Sequence, residues 1–110
     1  MSPAWSTDLA DRIREQLAGR DVVERPMFGS LCFMVDGAML VCAGAGAMLA
    51  RLSEQDRDEA VASGLGRPMV MRGRESRHYA YLDEQALQDE GVFLDWLGRS
   101  VAFHRDLTAR

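Results

Sequence analysis

The chain has 110 residues, of which 47% are apolar and 27% charged, and its formal net charge is −4. That length holds one hydrophobic core, and the composition excludes a disordered chain. The acidic balance argues against coating nucleic acid or an anionic membrane with the whole surface.

No run of about 18 apolar residues and no basic, apolar leader is present, so the expectation is a cytoplasmic protein that makes no membrane contact. Lys and Asn do not occur, and all 13 basic residues are Arg. A GC-rich genome explains that bias, so an arginine's presence alone says little about geometry.

In chain order, Ser6 or Thr7 caps a first helix with Leu9, Ile13 and Leu17 on one stripe, and Gly19 ends it. Val22-Val23-Glu24 begins extended structure, which Pro26 favours by restricting Arg25. Strands are predicted at 30–35 and 38–43 around an Asp36-Gly37 turn, and at 47–52 after the "AGAG" turn. Ser53 with Asp56 resembles a capping box and opens a short acidic helix that runs to Ser63. "MVM" at 69–71 and "HYAYL" at 78–82 read as two strands separated by "RGRESR". A last helix from about Asp89 carries Phe93, Leu94, Trp96, Leu97, Val101 and His104 on one broad face, with Trp96 as a core anchor. The resulting order is α-β-β-β-α-β-β-α, which predicts an α+β, two-layer domain over residues 1–110 with an antiparallel sheet packed with helices.

The 30–43 hairpin carries the most pattern. A two-residue Asp36-Gly37 turn pairs Val35 with Ala38 and Phe33 with Leu40, placing Cys32 opposite Val41 and on the other face from Cys42. A three-residue loop would set the two cysteines opposite each other. In the first register one face holds Leu31, Phe33, Val35, Ala38, Leu40 and Cys42, and the other holds Cys32, Met34, Met39 and Val41. Both are apolar, whereas a half-exposed sheet alternates with polar residues. A helix of the same chain, a partner chain or a small ligand must cover the second face; a partner is favoured narrowly over burial within the chain, so Cys32, Met34, Met39 and Val41 are the candidate protein interface, filled by a second copy in a homodimer or by another protein. The cysteines themselves read as two reduced core residues.

No catalytic residue is predicted: His78 and His104 read as structural or solvated, without a Ser-His-Asp or Cys-His pattern. The two Cys and two His lack zinc-site spacing, so neither a metal nor a cofactor is expected. Gly44 and Gly46 lie between strands rather than before a helix and read as turn glycines, not a phosphate loop. Between 67 and 78, Arg67, Arg72, Arg74 and Arg77 stand against Glu75 alone. Arg72, Arg74 and Arg77 are therefore the candidate site for an anionic ligand or nucleic acid, a reading less favoured than pairing of these arginines with the acidic helices.

"RPMFGSLCFMVDGAMLV", "LARLSEQDRDEA", "RPMVMRGRESRHYAYLDEQAL" and "FLDWLGRSVAF", in that order, resemble the N-terminal domain of the TfoX (Sxy) competence regulators and its stand-alone relatives. The resemblance implies a two-layer domain with an antiparallel sheet, similar to type III secretion chaperone-like folds. It brings no catalytic residues to transfer. Full-length regulators carry a second, helical domain after this one, so competence regulation is not implied. The function expected is a small non-enzymatic interaction or regulatory module acting by protein–protein contact.

Overall fold

Ser6 opens the first helix by accepting a hydrogen bond from the Leu9 amide at 3.2 Å, the N-cap that its position predicts. In the computed structural model, which describes residues 4–108, this helix α1 runs Thr7–Gln16 and buries Leu9, Ala10 and Ile13. The strands are β1 (Val22–Met27), β2 (Ser30–Val35), β3 (Ala38–Ala43), β4 (Ala47–Arg51), β5 (Gly66–Met71) and β6 (Arg74–Asp83). Helix α2 (Glu54–Ala62) separates β4 from β5. A 3-10 turn (Ala86–Gln88) leads into α3 (Glu90–Thr108). The fold is α+β, with all strands in one antiparallel sheet of order β1-β2-β3-β4-β6-β5.

The predicted order stands, and the extended stretch from Val22 becomes an edge strand of its own. "RGRESR" is a tight hairpin rather than a long connection. Arg72 and Gly73 form its turn, with positive φ of 55° and 79°, and Arg74 already belongs to β6.

Helices pack on one face only. Leu31, Phe33 and Val35 of β2, Val41 and Ala43 of β3, Met48 and Ala50 of β4, and Ala80 and Leu82 of β6 join Leu9, Ile13, Ala60, Phe93, Trp96 and Leu97 in one buried core. Leu94 corrects the predicted stripe on α3, being 42% exposed, while Phe93, Trp96, Leu97, Ser100 and His104 are buried. These five recur at steps of three and four, so the buried stripe is narrower than the apolar composition suggests. On the edge strand, Glu24 shares the helix face with its pairing partner Phe33 and takes a two-point bond from Arg14 of α1 at 2.7 and 2.8 Å. That guanidinium holds the Glu24 carboxyl below the usual glutamate range.

The hairpin register differs from expectation at one residue. Val35 pairs with Ala38 and Met34 with Met39 as the two-residue turn requires, but Phe33 then pairs with Val41, leaving Leu40 unmatched in a β-bulge. Beyond it the register slips by one. Cys32 consequently faces Cys42, their Cα atoms 4.0 Å apart and their sulfurs joined across the strands, rather than standing reduced on opposite faces. Leu40 and Val41 are both buried in the core, because a bulge lets two successive residues turn toward the same side. Ser100 of α3 holds the bulge: its single O–H proton is shared between the Arg51 carbonyl at 2.7 Å and the Leu40 carbonyl at 3.2 Å, the nearer being the better acceptor.

Two substitutions test this framework. Ser100→Ala removes the hydroxyl from two carbonyls beneath α3 and should lower stability by about 1–3 kcal/mol, measured by denaturant unfolding. An unchanged midpoint would mean that the bulge does not depend on α3. Gly37 has φ +82° in the hairpin turn. Gly37→Val should therefore cost about 1 kcal/mol or more through strain in a left-handed conformation, seen as a shifted denaturation midpoint.

Candidate interaction surface

With the core on one face, strand alternation sends every second side chain to the other. The cross-strand partners on that open face form a row running the full width of the sheet: Arg25 in β1, Cys32 in β2, Cys42 in β3, Leu49 in β4, Tyr81 in β6 and Arg67 in β5. Guanidinium groups stand at both ends, with sulfur, aliphatic and aromatic groups between. Beside this row the face is concave and encloses a trough of about 510 Å³ whose walls include Met27, Phe28, Met39, Met69 and Met71 as well as the inner members of the row and Arg67. A smaller recess of about 320 Å³ lies at the β1 side, lined by Val23, Arg25 and Met34 together with Asp21 and Asp36.

Phe28 is the most unusual residue of the trough. Its side chain is fully exposed, and its φ of 51° with 79° at Gly29 makes the β1–β2 connection a two-residue turn of the I′ pattern. Asn, Asp or Gly suits that first position, whereas Phe gains nothing there locally. Met27 and Met71 are also exposed, one on each side of the trough. The edges are less suited to pairing. Pro26 in β1 and Pro68 in β5 each remove a backbone donor, so contact across the face is favoured over strand addition at an edge.

Three of the four predicted interface residues meet on this face. Met39 lines the trough and Met34 the adjoining recess, whereas Cys32 lies at the trough's floor, only 4% exposed and already buried in the monomer. Val41 does not join them. The bulge turns it into the core, fully buried opposite Phe33, and Cys42 occupies the place predicted for it.

The arginine segment adjoins the same surface. Arg74 pairs with Met71, whose side chain lines the trough. Arg72 lies in the hairpin turn, and Arg77 falls where β6 sets Ser76–Tyr79 against Met69 alone. All three are exposed, and among the described residues none has a carboxylate within ion-pair distance. The expected pairing with the acidic helices is absent: Glu75 is taken by Arg57 of α2, and only Arg67 has a partner, Asp83 at 3.3 Å.

Both histidines serve the fold. His78 Nδ1 lies 3.1 Å from the Leu52 carbonyl, and its ring stacks on Phe103 with centroids 5.3 Å apart. His104 Nε2 faces the Asp36 carboxylate at 3.3 Å, tying α3 to the hairpin turn. Asp56, read as half of a capping box, instead reaches Arg99 of α3 at 3.1 Å, while its amide donates to Ser53 Oγ. Among the described residues no three His, Cys, Asp or Glu side chains converge as a metal site would require, and no helix is long and apolar enough to cross a membrane.

The sequence profile of the TfoX N-terminal domain matches residues 15–104, a span that includes the whole sheet. The chain belongs to the TfoX N-terminal domain family. No curated protein and no solved structure was found to match it. Membership points to a regulatory role, and in this TfoX N-terminal domain the helices occupy one face of the sheet and leave the methionine-lined face open.

Sequence reasoning missed Phe28, Met69, Met71 and Tyr81 as parts of this surface. A signal existed for the first: Phe28-Gly29 and Arg72-Gly73 are X-Gly pairs between strands, and in both the X residue is one that the turn does not favour. Phe28→Asn should raise stability by about 0.5–1 kcal/mol by relieving the left-handed strain. Thermal denaturation of the variant measures this, and a lower midpoint would show that the ring supports the fold.

Proposed function

We propose that this TfoX N-terminal domain is a non-enzymatic regulatory module that acts by protein–protein contact through the open face of its sheet. One observation carries the reading: a two-layer domain whose second sheet face is a concave, methionine-lined trough with an unsupported Phe at its rim. Burying such a face in a partner gains the hydrophobic free energy that the monomer leaves unused. Methionine suits a contact surface because its flexible thioether adapts to the shape it meets. The polar side chains of the trough are few, chiefly Arg67, Tyr81 and Ser30, and they form no arrangement of nucleophile, base and orienting group.

The double variant Met34→Glu and Met39→Glu tests the proposal. Both side chains are only half-buried, so the variant should keep its circular dichroism and fold cooperatively. Two desolvated carboxylates should weaken any contact through this face by about 2 kcal/mol or more. Sedimentation of the protein alone measures self-association, and co-sedimentation with its native binding fraction measures contact with another protein. A folded double variant that retains every association of the wild type would overturn the reading.

A further inference from the structure

We infer that Cys32 and Cys42 are a thiol–disulfide exchange site, closed and opened by a low-molecular-weight disulfide and its thiol, and that the exchange alters the open face while the fold stays in place. The chain has two cysteines, and β2 and β3 set them directly opposite each other with their sulfurs joined. Any thiol chemistry of this protein therefore falls on one pair.

The pair lies outside the hydrophobic core. Leu31, Phe33, Val41 and Ala43, the neighbours of the cysteines along β2 and β3, join the core under the helices, whereas Cys32 and Cys42 line the trough on the other face. Both are buried, but beneath side chains and not beneath a helix. Met39 is one of those covers: its Sδ lies 3.1 Å from Cys42 Sγ, and its side chain is half-buried, unbranched and flexible. A rotation of that thioether opens a path from the trough to the sulfurs with no displacement of the backbone.

The link adds little that the sheet does not already hold. It closes a loop with a sequence separation of 10 between strands that are paired along their length, and short loops remove the least entropy from the unfolded chain. Core residues anchor the same two strands on the helix side. When the bond opens, each thiol is a small apolar group that Met39 and Leu49 beside it accept without a hydrogen-bond demand. Both redox states therefore suit one fold.

In oxidation one protein thiolate attacks the low-molecular-weight disulfide, forming a mixed disulfide and expelling one small thiolate. The second protein thiolate then attacks the protein sulfur of that mixed disulfide and expels the other. Two protein thiols thus lose two electrons and two protons, which leave with two small thiols. Reduction runs the same steps in reverse. Opening the bond lets the sulfurs separate and Met39 resettle, which reshapes the floor of the trough where the proposed contact bears on it.

The experiment equilibrates the full chain in buffers of glutathione and glutathione disulfide at varied ratio, traps the thiols by alkylation and counts each species by mass spectrometry. The expected result is a reversible passage between dithiol and disulfide within those ratios, with cooperative unfolding and the same far-ultraviolet circular dichroism at both ends. The methyl resonance of Met39 should move between the two states, while that of Met48, fully buried in the core, stays in place. Cys42→Ala, which removes the resolving thiol, should accumulate a mixed disulfide with glutathione at Cys32. A pair that stays wholly oxidised or wholly reduced at every ratio would overturn the inference. A reduced state that has lost its fold would do the same, because the bond is then structural. So would a Met39 resonance indifferent to the redox state, or a Cys42→Ala variant whose remaining thiol never takes up glutathione. None of these measurements involves a partner, so their outcome is separate from that of the Met34→Glu and Met39→Glu test of protein contact.

Discussion

One unmatched residue, Leu40, decides what the sheet presents to either side. A bulge there lets Leu40 and Val41 both enter the core, so β3 contributes two successive large side chains where strict alternation would allow one. The compensation falls on the open face, where Cys42 replaces Val41 beside Cys32 and the row between the edge strands becomes continuous. Ser100 holds the arrangement from above, because its hydroxyl reaches the carbonyls of Leu40 and of Arg51 at once. A buried serine on an otherwise apolar helix stripe is explained by that geometry: an alanine would pack equally well and leave both carbonyls without the bond.

The helix layer stays in place through contacts that reach beyond the core. Arg14 and Glu24 attach α1 to the edge strand, and His104 and Asp36 attach α3 to the central hairpin. Arg99 joins Asp56 and Glu59 of α2 to Asp95 of α3, and its guanidinium lies 4.1 Å from the centre of the Trp96 ring. Most of these pairs are partly exposed and individually worth little, but they connect each helix to a different part of the structure. They also consume carboxylates. Glu75 and Asp56, which sequence adjacency assigns to the arginine segment and to a helix cap, are committed to Arg57 and Arg99 respectively, and among the described residues Arg72, Arg74 and Arg77 have no ion-pair partner.

Several local features were legible in the sequence because they depend on neighbours in the chain. Ser6 and Ser53 cap their helices, Asp36-Gly37 turns the hairpin, and Gly44 and Gly46 make a turn between strands. Trp96 is a core anchor, as the spacing of the last helix indicates. Leu94 was not distinguishable from its neighbours by composition, since whether it meets the sheet depends on a rotation of the helix by less than one residue's angle. The apolar second face of the hairpin was also visible, and with it Cys32, Met34 and Met39. Phe28, Met69, Met71 and Tyr81 were not, because they come from turns and strands that only the sheet order brings to one trough.

The sequence by itself determined the element types, the antiparallel α+β class, the family and the existence of more apolar strand surface than one helix layer covers. These follow from periodicity, capping and turn chemistry, which act over a few residues. Tertiary structure alone decided the register beyond Leu40, the partners of the arginines and the meeting of two separately read segments on one face. A bulge has no obligatory residue signature, and a charge pairs with whichever opposite charge the packing brings near, so neither is written in local order. The place of Val41 in the core and the guanidinium at each end of the open row were fixed only when six strands were laid side by side.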